Sequence, residues 1–197
     1  MAGLEATPSP GPQQDALVVA VRADPCGALF GPLTDARLPI AFFSDFNCPN
    51  CKALNKILQD IVASRPAELR IIRYELPLLG AASTVASQAV LAADRQGGYE
   101  AMHDRLIRTR MVTDMDLVVS IAEEVGLDGQ RLLADMQTAE IATALDRSKA
   151  IATVFGLWGV PATVIGRTVF IGAIPAADVL EIIEAELAAL PLACGRA

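Results

Sequence analysis

The chain predicts an α/β fold: a small core built on a mixed β-sheet flanked by helices, interrupted by an all-helical insertion. Three observations carry this. Short apolar, β-branched runs lie near residues 40–44 and 69–75 with a 3.6-period helix between them, which makes a βαβ unit with a parallel, right-handed pair. Residues 81–155 then read as helix after helix with no convincing strand. Two short strands around Gly166-Arg167 and a closing amphipathic helix resume the core. At 197 residues the chain suits one core with an insertion rather than two full domains.

In order, residues 1–14 are rich in Pro and Gly and carry only Glu5 as a charge. They have no basic segment and no long apolar stretch, so they read as a disordered leader and not as a signal peptide. Ala16–Val21, apolar and β-branched, reads as a first strand, and Asp24-Pro25-Cys26-Gly27 and Gly31-Pro32 as breaks. Ile40–Ser44 is the second strand. The helix after it carries Leu54, Ile57, Leu58 and Ile61 at i, i+3, i+4 and i+7 and stops near Ser64-Arg65-Pro66. Leu69–Glu75 is the third strand. The insertion holds helical segments over Ser83–Ala93, Tyr99–Arg108, Asp114–Val125, Asp128–Met136 and Ala139–Val154, with Asp114 and Asp128 placed as N-caps. Ala162–Ile165 and Thr168–Ile171 form a hairpin, and Ala176–Leu190 the last helix. The core thus occupies residues 15–80 and 156–197, the insertion 81–155.

Hydrophobic residues make up 53% of the chain, enough to raise the question of a membrane, yet no run of about 18 uninterrupted apolar residues exists. The best candidate, Ile174–Ala193, carries Asp178, Glu181, Glu184 and Glu186 and reads as amphipathic. A net charge of −7 argues against nucleic acid and anionic membranes as partners.

The chemistry concentrates at Cys48-Pro49-Asn50-Cys51, where a strand runs straight into a helix. Free N–H groups and the positive end of the helix dipole favour a thiolate there. Pro49 suits the first turn, where its missing N–H costs no hydrogen bond. Zinc would need two further ligands, and His103, Cys26 and Cys194 offer no paired spacing, so no metal is expected. A purely structural bridge across so small a loop would stabilise little. The pattern therefore reads as a redox-active pair, Cys48 the nucleophile and Cys51 the resolving thiol, with no cofactor beyond the two sulfurs. Gly159-Val160-Pro161, entering the hairpin about 110 residues later, reads as a cis-proline loop whose Val160 backbone pairs with an extended substrate. His103 reads as a partly exposed helix residue beside Asp104, and the lone Trp158 as an ordinary core residue. Cys26 and Cys194 stay open between two free thiols and a second disulfide. Such a bridge would close a long loop worth roughly 5 kcal/mol.

With these residues in view, the chain resembles the thioredoxin superfamily, and within it the DsbA-like oxidoreductases with a helical insertion. The resemblance rests on Phe42 through Lys52, Glu75-Leu76-Pro77-Leu78-Leu79-Gly80, Tyr99 through Asp104, Gly159-Val160-Pro161 and Gly166 through Pro175. It spans about residues 24–190. It implies a thioredoxin fold, an exposed attacking Cys48, a buried Cys51 and a cis Pro161. It further implies a monomer that exchanges disulfides with protein thiols, is reset by a redox partner and works in the periplasm or otherwise exported; Val160 before the proline resembles the oxidising branch, the alternatives being a reductase or isomerase of the same fold and a redox-inactive binding or chaperone module. Two positions depart from the pattern. Phe42 stands where many members bury an acid, and Asn50 stands where the strongly oxidising enzymes have His.

Overall fold

The computed structural model describes residues 12–33 and 37–192. Helices α1 (Pro12–Ala23) and α2 (Pro25–Phe30) precede strand β1 (Leu38–Ser44), helix α3 (Pro49–Ser64) and strand β2 (Leu69–Glu75). The insertion supplies α4 (Ala81–Asp94), α5 (Tyr99–Arg108), α6 (Met115–Glu124), α7 (Gly129–Met136) and α8 (Ala139–Val154). Strands β3 (Ala162–Ile165) and β4 (Thr168–Ile171) and helix α9 (Ala176–Ala188) follow.

The sheet order is β2-β1-β3-β4, with β1 parallel to β2 and antiparallel to β3, which pairs antiparallel with β4. Every residue of β1 is buried, as an uninterrupted apolar run covered on both faces requires. Strand alternation divides its side chains. Leu38, Ile40 and Phe42 pack with Leu54 and Leu58 of α3 and Val179 and Ile183 of α9. Ala41 and Phe43 face Val21, Leu29, Phe30 and Ile151 from α1, α2 and α8. A third cluster fills the insertion and receives one residue from the β1–α3 junction, Phe46. Gly166, with φ +56°, takes the first central position of the β3–β4 turn, as a two-residue II′ connection demands. The hairpin is tied to α9 by Glu186, which accepts from Thr168 Oγ1 at 2.8 Å and Arg167 Nε at 3.2 Å.

Two N-terminal expectations are corrected. Ala16–Val21 lies in α1 and is not a strand. Leu17, Val18 and Val21 recur at helical spacing and meet the Ala41–Phe43 face beside α8, so burial of one stripe overrides the β preference of the valines. Asp24-Pro25 does end α1, but it also starts α2: Asp24 Oδ1 accepts the Gly27 N–H at 2.9 Å and Pro25 sits in the first turn. Of the expected leader, residues 12–14 belong to α1, and the remainder lies outside the described residues. In the insertion, Asp114 and Asp128 cap α6 and α7 by accepting from Leu117 N and Arg131 N.

Candidate active site

The chain leaves β1 through a tight turn in which the Cys48 N–H donates to the Asp45 carbonyl at 3.1 Å. Cys48 is the N-cap of α3, and its sulfur accepts the Cys51 N–H at 3.3 Å, one of the helix's orphan donors. That hydrogen bond and the positive end of the helix dipole both face the sulfur. Cys48 Sγ also lies 3.8 Å from the Val160 carbonyl, so the structure brings the CxxC motif and the Val160-Pro161 loop together. The Val160–Pro161 peptide is cis. Both thiols are free. Cys48 keeps 7% of its surface and Cys51 none, so the nucleophile is less open than the resemblance implies, though it remains the accessible one. Pro49 and Asn50 are exposed at the helix tip.

Burial pushes the Cys51 thiol far above its ordinary pKa, and the hydrogen bond and charge of Cys48 push it further. The backbone of Asp45 acts in the opposite sense. Phe42 belongs to the core cluster under α3 and α9, so the position that often holds a buried acid holds none here. Asp45 is buried, but its carboxylate is spent on structure. Oδ1 accepts from Asn47 N (2.8 Å) and Ser83 Oγ (2.7 Å), and Oδ2 from Leu78 N (2.9 Å) and Leu79 N (3.0 Å). It thereby ties the motif's turn to the loop after β2. The residue's spacing before the first cysteine is an Asx-turn signal. Its long-range donors carry no signal of their own in the sequence.

Two residues flanking the cysteines hold the loop after α5. Asn47 pairs with Val112 as a strand would, donating to its carbonyl at 3.0 Å and accepting its N–H at 2.7 Å. Lys52 Nζ donates to the carbonyls of Thr109 and Arg110, the latter at 2.8 Å. Burial lowers the Lys52 pKa, offset in part by the charges of Cys48 and Asp45. Asn47→Ala removes both bonds to Val112, a loss of about 1–2 kcal/mol of local stability. Hydrogen exchange at the Val112 amide is expected to speed up by about tenfold, and an unchanged rate would show that Asn47 does not anchor the loop.

His103 and Trp158 are placed otherwise than expected. His103 is fully buried, stacked on Tyr99 and edge-on to Phe46, because α5 turns its apolar stripe into the insertion core. Burial, with Arg73 nearby, lowers its pKa to about 4. Trp158 is 84% exposed beside the Val160 loop rather than in the core. Glu75, at the end of β2, is buried under the insertion, accepts the Tyr99 hydroxyl at 2.7 Å, and has its pKa raised by burial to about 7. Donor atoms of Glu100, His103 and Asp104 lie within 4.8 Å of one another. Arg73 already pairs with Glu100, and Gln59 donates to Asp104. Cys26 is disulfide-bonded, and Cys194 lies outside the described residues. Among the described residues no helix is long and apolar enough to cross a membrane.

Comparison with known proteins agrees with this geometry. A thioredoxin-like oxidoreductase from Silicibacter pomeroyi DSS-3 superposes with a TM-score of 0.76 at 29% identity, covering 81% of this chain and 96% of that one. The catalytic domain of Proteus mirabilis ScsC gives 0.75 at 27% identity, covering 87% and 98%. The thiol-disulfide exchange protein alpha-DsbA2 from Wolbachia pipientis shares the fold at 17% identity, with a TM-score of 0.73 and coverage of 90% and 99%. A curated relative, the Na(+)/H(+) antiporter NhaA of Herminiimonas arsenicoxydans, is 25% identical over 151 residues, which are 77% of this chain. The chain spans about a quarter (24%) of that relative's length. The profile of the DSBA-like thioredoxin domain matches residues 39–184. The adjacent Cys48 and Cys51 sit on the fold of thiol–disulfide oxidoreductases, and the chain belongs to the DSBA-like thioredoxin domain family.

Proposed function

We propose that the protein oxidises thiols of other proteins by disulfide exchange at Cys48, with Cys51 as the resolving thiol and no cofactor beyond the two sulfurs. The observation that carries this reading is the position of Cys48 Sγ, at the tip of α3 between the Cys51 N–H and the Val160 carbonyl. A substrate thiolate attacks Cys48 Sγ of the oxidised pair. A sulfur–sulfur bond to the substrate forms, the Cys48–Cys51 bond breaks, and Cys51 leaves with the electron pair and takes up a proton. A second substrate thiolate then attacks the substrate sulfur and releases Cys48 as thiolate. The substrate loses two electrons and the pair gains them. The Val160 backbone receives the substrate as an extended strand.

The environment of Cys51 supports its role. Two of the causes that raise its pKa are the hydrogen bond and the charge of Cys48. Both are absent once Cys48 is held in a mixed disulfide, so Cys51 is more acidic there and a better leaving group when the substrate displaces it. An unidentified redox partner resets the pair, and an exported, periplasmic site of action belongs to the same proposal. A relative at 25% identity, from Salmonella enterica serovar Typhimurium, is described as a periplasmic thioredoxin-like protein. A structural disulfide between Cys26 and Cys194 is part of the same proposal, supported by the disulfide-bonded state of Cys26.

Equilibration with glutathione tests the oxidising role. A potential between about −120 and −270 mV is expected, because Asn50 can donate a hydrogen bond at the helix tip but brings no charge. A value below about −270 mV would instead mark a reductant.

A further inference from the structure

The β4 side of the sheet carries a groove of about 770 Å³, at the opposite end of β1 from the cysteines. It adjoins Gly166, whose N–H donates to the Pro39 carbonyl at the start of β1, whereas Cys48 follows the end of that strand, about 20 Å away. Its floor is apolar: Leu29, Phe30, Phe155, Val164 and Leu192. Val169 of β4 lines it too and is 44% exposed. Two cations, Arg22 and Arg167, face it, and its one carboxylate, Asp24, is occupied in capping α2. Arg167 bonds to Glu186, and Arg22 has no ion pair among the described residues. Strand β4 is also the edge of the sheet. The two-residue turn makes Ile165 and Thr168 a hydrogen-bonded pair, and the Gly172 N–H bond to the Pro161 carbonyl at 2.7 Å continues that alternation. The backbone groups of Val169 and Ile171 therefore point away from β3, and among the described residues none of them has a partner.

We propose that this edge and groove dock the free carboxyl terminus of a partner polypeptide. The partner's last residues run antiparallel to β4 and bond to the backbone of Val169 and Ile171. Because β4 runs from Thr168 to Ile171, an antiparallel strand finishes beside Thr168, next to Arg167. Arg167 and Arg22 then receive the terminal carboxylate. Alternate side chains of the added strand fall on the face that Val164 and Val169 share, so apolar residues at every second position fill the groove. A second copy of this chain fits less well, because residues 166–174, which would lie across the edge, bring Arg167 and no carboxylate. The dock lies a strand's length from the cysteines, so a bound partner leaves them open, and docking itself needs no disulfide exchange.

The peptide Thr-Val-Thr-Val-Thr-Leu, dye-labelled at its amino end, tests the dock by fluorescence anisotropy with the full-length protein. The free-acid form is expected to bind about tenfold more tightly than the same peptide ending in a carboxamide. Arg22→Gln and Arg167→Gln should each narrow that ratio and leave the amide form nearly unchanged. Val169→Pro removes an outward N–H, a change that an edge strand tolerates, and should abolish binding of both forms. Arg22 is an exposed residue of α1, so Arg22→Gln decides the matter if Val169→Pro does not fold. All three variants should react with dithiothreitol as the parent does. Equal affinity for acid and amide, parent affinity in a folded Val169→Pro, or no binding at about 1 mM protein would overturn the dock. Binding that appears only after removal of residues 193–197 would overturn it by giving the groove to the chain's own tail. A concentration-dependent dimer that Val169→Pro dissociates would overturn it by giving the edge to a second copy.

Discussion

Cys51→Ser is expected to stop catalytic turnover while leaving Cys48 able to react once. In the oxidising direction this variant cannot hold a disulfide at the motif, so oxidation of a reduced substrate should be absent. In the reducing direction Cys48 attacks, and the mixed disulfide then waits for an external thiol. The buried Cys51 sits within one helical turn of Cys48, with its N–H already bonded to that sulfur. Well-oriented intramolecular groups reach effective molarities of about 10⁵ M or more. Even about 1 M would exceed an external thiol at about 1 mM by about a thousandfold, the minimum loss expected in insulin reduction. Mass spectrometry should find the substrate on Cys48. Cys48→Ser should lose the same activity without accumulating an adduct. An adduct mapped to Cys26, or turnover retained in Cys51→Ser, would place the chemistry elsewhere.

The parts of this site that the sequence displays are those set by local rules. A strand with six apolar residues in a row, a proline at N1, an i, i+3, i+4 stripe and a Gly-Arg turn each specify their own geometry, so β1, α3 and the β3–β4 hairpin stand where the pattern puts them. What it hides is set by long-range neighbours. Leu17, Val18 and Val21 form a helix because α8 and the sheet offer a face to bury them, and α8 is more than a hundred residues away. Asp45 is a clamp because Leu78, Leu79 and Ser83 turn their donors toward it. His103 is buried because Phe46 from the core enters the insertion beside it. Trp158 is exposed although tryptophan is highly buried on average. Its exposure follows from the Val160 loop, which carries it past the end of α8.

Glu75 and His103 are expected to hide one another's pH dependence, and single substitutions should reveal it. Both lie in the seam between the sheet and the insertion. Glu75 faces Tyr99, Arg73 and Asp45, and His103 faces Arg73, Asp104 and the Tyr99 ring. Burial raises Glu75 from 4.5 to about 7. Between those values the unfolded chain has lost a proton that the folded one keeps, so this residue's contribution to stability falls as pH rises. Burial lowers His103 from 6.5 to about 4. Between those values the unfolded chain holds the extra proton, so its contribution falls as pH drops. Each slope is about 1.4 kcal/mol per pH unit, and the two oppose each other across the shared window from about 4.5 to 6.5. Glu75→Gln keeps an acceptor for the Tyr99 hydroxyl and removes one slope. Its stability in urea should fall by about 3 kcal/mol between pH 6.5 and 4, relative to the parent curve. His103→Gln should fall by a similar amount, about 3 kcal/mol, but in the other direction, as pH rises from 4.5 to 7. The cavity left by the imidazole lowers the whole His103→Gln curve without tilting it, so the slope and not the height is the measurement. Curves for both variants that run parallel to the parent's would show that neither group carries a buried proton equilibrium.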